Sequence, residues 1–341
     1  MIHRNNNSLL VINALLDVLA MPKILIIGAT GYIGQALALS LVRSGGHTVY
    51  GLARTPKKAK SLEALEIIPV KGSVSDSANY LDLIRSANID IVVDAAGANM
   101  ESKKILEDLL RVGAERLEAA QRAGIKTAKL GFIYTSGTWV HGSSAEPVND
   151  LTPVGNALAP TPPPKLVAWR PPLEQEILAA SEILDVVVMR PALVYGGASS
   201  IWTGLFSPLL EAAKAGASTV SVKAEPNSMP SLIHVDDVAS GLHAAVDKLP
   251  LIAGTSVYPV FDLVTSQESM RLVLETAAKA LGFHGRVNMA GVEGDLFAEA
   301  MSTSLNGSSS RAIQLLGWQP KRFGYVQRMD LYARTWAASR E

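Results

Sequence analysis

The chain has no cysteine among its 341 residues. That excludes disulfides, thiolate nucleophiles and thiolate metal sites, and it fits a reducing, cytoplasmic setting. Net charge is also missing: 31 Lys and Arg balance 31 Asp and Glu. A nucleic-acid surface or other polyanion partner is therefore not expected. No apolar run is long enough to span a bilayer. The best candidate, Ser8 to Ala20, is short and is interrupted by Asn13 and Asp17, which excludes a transmembrane segment there. With Arg4 as the only firm positive charge before it, it is also a poor signal peptide. Residues 1–20 read as an extension preceding a compact domain that opens near Met21. No His, Asp and Glu residues stand at metal-ligand spacing, so no metal is expected. His234 with Asp236 and Asp237 suits a turn and helix cap better.

What is present points to a large core: 48% of residues are hydrophobic, enough for one large domain or a domain plus a smaller lobe. The chain is organised around Lys23 to Gly34, KILIIGATGYIG. Ile24 to Ile27 read as a buried parallel strand, and the stretch after Gly31 reads as a helix start. Gly28 permits a tight turn, Gly31 lets backbone approach a phosphate, and Gly34 lets the helix pack closely on the strand. The helix N-terminus offers free N–H groups to an anion.

GATGYIG resembles the glycine motif of the extended short-chain dehydrogenase/reductase superfamily, whose epimerase/dehydratase-like members carry it. The resemblance implies a nicotinamide cofactor and an α/β fold: a doubly wound parallel sheet (Rossmann) with a small C-terminal substrate lobe. The Rossmann part is expected over 21–195. The remainder, 196–341, is expected to be mixed, returning to the main sheet at about 232–263. Further motifs extend the resemblance to the C-terminus. Thr135 to Gly142 resembles the family's serine-rich turn, Arg190 to Gly197 its arginine-proline turn, Leu232 to Ala239 a later strand–helix motif, and Ser309 to Pro320 its closing motif.

The cofactor path follows from these strand ends. Gly28, Thr30, Gly31, Tyr32, Ile33 and Gly34 surround the pyrophosphate turn. The second strand lacks an acidic residue at its tip, where Arg54, Lys57 and Lys58 stand instead. Arg54 and Lys58 can pair with a 2′-phosphate, so NADP(H) is expected over NAD(H). Ser73 and Val74 are expected beside the adenine, and the small residues Ala95, Ala96 and Gly97 beside the middle of the cofactor. Thr135, Pro191 and Val194 are expected at the nicotinamide end.

The family's Tyr-x-x-x-Lys pair is missing. No such pair occurs between Thr152 and Leu184, and Trp169 and Leu173 fall near the expected positions. The substitute donors are Thr138, His141 and Tyr195. Ser136, Trp139, Lys165 and Trp169 are candidates for the substrate. The proline-dense stretch Asp150 to Pro172 reads as a loop over the cleft, with a helix beginning at Leu173. The leading expectation is an NADP(H)-dependent reductase of a small carbonyl, enone or imine compound. Two alternatives stay open: a non-catalytic cofactor-binding regulator, and a non-redox cyclase, isomerase or lyase. A small-molecule substrate is the expected partner, and the sequence is compatible with a homodimer.

Overall fold

The computed structural model describes residues 21–97 and 101–340; the extension read over residues 1–20 lies outside them. A seven-stranded parallel sheet forms the centre. It is made of β1 (Lys23–Ile27), β2 (Thr48–Ala53), β3 (Ile68–Lys71), β4 (Ile91–Asp94), β5 (Leu130–Thr135), β7 (Leu184–Pro191) and β11 (Val260–Leu263). A short strand, β6 (Ser144–Val148), intervenes between β5 and β7. The spatial order is β11-β7-β5-β4-β1-β2-β3, with β1 inside the sheet between β4 and β2. The reversal of direction beside β1 opens a crevice at the strand C-termini, where such sheets bind ligands.

The uninterrupted apolar run of β1 follows from burial on both faces. Side chains alternate along a strand: Ile24 and Ile26 belong to one hydrophobic cluster and Leu25 and Ile27 to the other. The helices α1 (Tyr32–Ser44), α2 (Pro56–Glu63), α3 (Ala78–Ser86), α4 (Glu101–Arg122), α5 (Arg170–Ala179), α6 (Thr203–Lys214) and α7 (Val235–Ile252) follow in chain order. A third cluster lies beneath the lobe and is rich in aromatic residues: Tyr195, Trp202, Phe206, Tyr325, Tyr332 and Trp336. There β8 (Leu193–Tyr195), β10 (Ser231–His234) and β12 (Ser266–Gln267) form a small sheet.

Several local expectations shift. The proline-dense stretch ends sooner than its composition suggests, because α5 starts at Arg170 and takes Pro171 and Pro172 into its first turn. Proline is tolerated there, since its missing N–H has no helical partner to lose. Ser266 lies in β12, and the next helix begins at Met270. The cap of α7 is His234, whose Nδ1 accepts from the Asp236 backbone N–H at 3.1 Å. Asp237 instead accepts from the Lys321 and Arg322 backbone N–H groups, both at 2.8 Å, tying the C-terminal segment to α7.

Candidate functional site

The first glycine turn is built by close approach. Gly28 has φ of 93°, a region that favours glycine. A Cβ there would meet the Ala95 carbonyl oxygen at 2.5 Å, and one at Gly34 would meet the Gly28 carbonyl oxygen at 2.2 Å. The glycines therefore let α1 and the loop after β4 close on the turn, with Gly31 at the N-terminus of α1. Asp94, buried at the end of β4, shapes that loop. Its carboxylate accepts from the Ala96 N–H at 3.0 Å and the Ser102 hydroxyl at 2.6 Å. Burial pushes its pKa up, and both its oxygens are engaged in these bonds.

Two connected cavities follow. The first is lined by Gly28, Thr30, Gly31, Arg54, Lys58, Ser73, Val74, Ala95 and Ala96, together with Glu101. This cavity gathers nine of the residues that the sequence singles out for the adenosine and pyrophosphate of a cofactor. Tyr32 and Gly34 stand behind it. The Tyr32 hydroxyl donates to the Gly196 carbonyl, joining the glycine turn to the segment after β8. Ser73 is also engaged locally, with its hydroxyl 2.9 Å from that of Ser75.

The second cavity, about 180 Å³, is lined by Ile33, Gly97, Thr135, Ser136, Gly137, Thr138, Trp139, Arg170 and Pro191 to Val194, among others. It meets the first at Ala95. The expected residues Ile33, Gly97, Thr135, Pro191, Val194, Ser136, Thr138 and Trp139 thus converge here. Other candidates do not. His141 is buried and its Nε2 lies 2.8 Å from Asp262 Oδ2, away from the cavity lining. Tyr195 stacks on Tyr325 at 4.2 Å and donates to the Arg322 carbonyl at 3.2 Å; burial pushes its pKa up. Lys165 is exposed in a short turn. Trp169, a substrate candidate from the sequence, is half-buried against the core cluster that contains Tyr134 and Leu173 and is not among the residues lining the second cavity.

Arg170 is the residue that the sequence does not single out. Its signal is Glu174. Arg190 donates from Nε to both Glu174 carboxylate oxygens, at 3.1 and 3.2 Å, in a fully buried ion pair. This pins α5 to the arginine-proline turn. Residues four apart share a helical face, so Arg170 lies one turn from Glu174 and reaches the cavity. Its guanidinium sits so close over Gly137 that a Cβ there would meet Nη1 at 2.8 Å.

Several polar atoms at this end are buried without a hydrogen-bond partner: Arg170 Nε, Thr135 Oγ1, Ser136 Oγ and, behind them, Tyr134 Oη. Unpartnered buried polar atoms are costly and rare, and three of these four belong to residues that line the second cavity. Burial pushes the Tyr134 phenol pKa up, against the pull of the Arg170 charge. Burial lowers the Arg170 pKa, with Tyr134 and Glu174 opposing. No histidine or carboxylate lines this second cavity among the described residues.

The model of the NAD dependent epimerase/dehydratase family matches residues 24–258. The chain belongs to that family. Its fold is similar to that of dTDP-glucose 4,6-dehydratase from Bacillus anthracis, solved in complex with NAD, at TM-score 0.68 and 16% identity, covering 94% of this chain and 97% of that one. It is similar also to UDP-glucose 4-epimerase from Bifidobacterium longum, solved with NAD+ and UDP, at TM-score 0.63 and 19% identity, over 93% and 98% of the two chains. A curated relative, 2-alkyl-3-oxoalkanoate reductase from Stenotrophomonas maltophilia, is 29% identical over 181 residues, covering 51% of each chain. The match to this relative spans about half its length.

These comparisons correct the expectation of an NADP(H)-dependent reductase or oxidoreductase of a carbonyl, enone or imine. The family is named for NAD-dependent epimerases and dehydratases, and the solved structures hold NAD. Arg54 and Lys58 line the first cavity, but basic residues at that strand tip do not by themselves specify a 2′-phosphate. Among the described residues, no helix is long and apolar enough to cross a membrane.

Proposed function

We propose that this chain is an NAD(H)-binding protein without net redox turnover, which holds a small anionic ligand beside the nicotinamide and whose output is binding. The observation that carries the reading is the chemistry of the nicotinamide-side cavity. Arg170 and the hydroxyls of Thr135, Ser136 and Thr138 can all donate toward a ligand oxygen, and among the described residues no lining side chain is suited to accept a proton at neutral pH. A relay that oxidises an alcohol needs such an acceptor. A carboxylate needs only the donors, and a guanidinium with a free Nε edge suits it.

NAD would lie with its adenosine between Arg54, Ser73 and Val74 and its pyrophosphate over Gly28 to Gly31. Its nicotinamide would lie against Pro191 to Val194. The bound cofactor would supply one wall of the ligand site. The nicotinamide would take up part of the cavity of about 180 Å³, and the space left beside it is smaller than most sites for drug-sized ligands. That favours a small carboxylate over a whole sugar nucleotide, the kind of compound for which the epimerase and dehydratase relatives are named.

Trp139 lines the cavity, so its fluorescence reports occupancy. The test titrates NAD-loaded protein with acetate, lactate, pyruvate and benzoate, with their amides as neutral controls. Saturable binding of carboxylates only, lost in Arg170→Met while NAD affinity persists, is expected. Equal binding of the amides, or an unchanged response in Arg170→Met, would overturn the reading.

A further inference from the structure

At the opposite end of the sheet from the glycine turn, two histidines and an aspartate converge. His47 immediately precedes β2. His243 and Asp247 stand four residues apart on α7, hence on one helical face. His47 Nε2 lies 3.0 Å from Asp247 Oδ1, and His243 Nε2 lies 3.6 Å from Oδ2. One ligand atom from each of the three side chains lies within 4.8 Å of the others. The pairing escapes a reading of spacing because His47 comes from a loop far away in sequence.

The hydrogen bonds behind the rings give the cluster its direction. The Ser44 hydroxyl donates to the Leu41 carbonyl at 2.7 Å, so toward His47 Nδ1, 3.3 Å away, its oxygen can only accept. In the Nδ1–H tautomer that this contact favours, the His47 Nε2 lone pair is directed at the carboxylate oxygen 3.0 Å away. A cation shared between the two, a proton or a metal ion, satisfies both atoms. His243 Nδ1 is likewise held, 2.8 Å from Ser40 Oγ, which leaves its Nε2 facing Asp247. Hydrogen bonds to the far nitrogen are what orient metal-ligating histidines.

We propose that His47, His243 and Asp247 form a binding site for a divalent cation of the zinc type, joining α1, α7 and the start of β2. Two imidazoles and a carboxylate suit zinc or cobalt. In a tetrahedral site with bonds of ~2.0 Å, ligand atoms lie roughly 3.3 Å apart; here the histidine nitrogens lie 3.0 and 3.6 Å from the two oxygens of Asp247, and one ligand atom from each residue lies within 4.8 Å of the others, so side-chain rotation draws them onto one ion. A cavity of about 510 Å³, lined by Pro22, Gly46, Asp90 and Lys129 as well as the cluster itself, gives the ion a path from solvent. It also leaves room for water at the remaining coordination position. The site lies far from the cofactor's strand ends, so its role is to clamp the fold.

The test uses the full chain, stripped with a chelator and titrated with Co²⁺ by visible absorption and with Zn²⁺ by calorimetry. With no cysteine and six histidines in the chain, background sites are few. One equivalent is expected to bind, with d–d bands of low-symmetry coordination. His47→Ala, His243→Ala and Asp247→Asn should each weaken it about tenfold or more, and Ser40→Ala should weaken it about tenfold. His284→Ala should leave it unchanged. Zn²⁺ should raise the melting temperature of the wild type and not that of His243→Ala, each compared with its own metal-free protein. That difference separates lost binding from lost folding. Absence of binding by the wild type at millimolar Co²⁺, or equal affinity in His243→Ala and wild type, would overturn the proposal.

Discussion

The two halves of the cofactor cleft lie along the same edge of one sheet, and they have diverged. The adenosine half keeps backbone geometry that side chains cannot replace: Gly28 and Gly34 lie where any Cβ would meet backbone within 2.5 Å. The nicotinamide half keeps its scaffold, the Arg190–Glu174 pair, but presents Arg170 and hydroxyls to the cavity. Binding of the dinucleotide depends on chain path and tolerates little change. The chemistry depends on a few side chains that can be exchanged while the path stays. On the proposed function, the family's fold and the family's reaction are separable within one cleft.

The largest expected effect comes from breaking the scaffold that the halves share. Glu174→Gln leaves Arg190 without its buried counter-charge, and Asp262 Oδ1, 3.7 Å from Nη1, replaces it poorly. A loss of about 3–5 kcal/mol in chemical denaturation is expected. Next, Gly34→Ala attacks the adenosine half alone. Overpacking against the Gly28 carbonyl should cost about 1–3 kcal/mol of stability and abolish NAD binding measured by calorimetry. Arg170→Met then attacks the nicotinamide half alone. Carboxylate affinity should fall by about 1.5–3 kcal/mol, the worth of hydrogen bonds to a charged group, with NAD affinity retained. The smallest effect is expected at Arg54, which is exposed. Arg54→Ala should change NAD affinity by about threefold or less. A large loss there would restore the weight that the sequence gives to this residue.

The same contrast governs what the sequence discloses. The glycine turn, the small residues after β4 and the arginine-proline turn are local words, because each feature is made by neighbours in the chain. His141 is different. Its partner Asp262 is 121 positions away, so a histidine after a strand reads equally as a proton donor or as a structural group. Tyr195 is drawn into the lobe by Tyr325 and Tyr332, residues that the strand motif cannot announce. Trp169 and Arg170 are adjacent, yet one packs half-buried against the core cluster and the other lines the cleft. The helical phase that decides between them is set by Glu174, and the prolines before it obscure where the helix begins.

The most direct test of the central claim, that the nicotinamide half binds without a proton acceptor, is the pH dependence of lactate binding to the NAD-loaded protein. Arg170 remains cationic and Tyr134 remains protonated, since burial moves the phenol pKa upward and away from neutrality. Lactate itself is ionised well below neutral pH. The account predicts an affinity that is flat between about pH 6 and 9 and is lost in Arg170→Met. A change of about tenfold near neutral pH, carried by the wild type and surviving in Arg170→Met, would reveal a proton acceptor in the pocket and contradict the account.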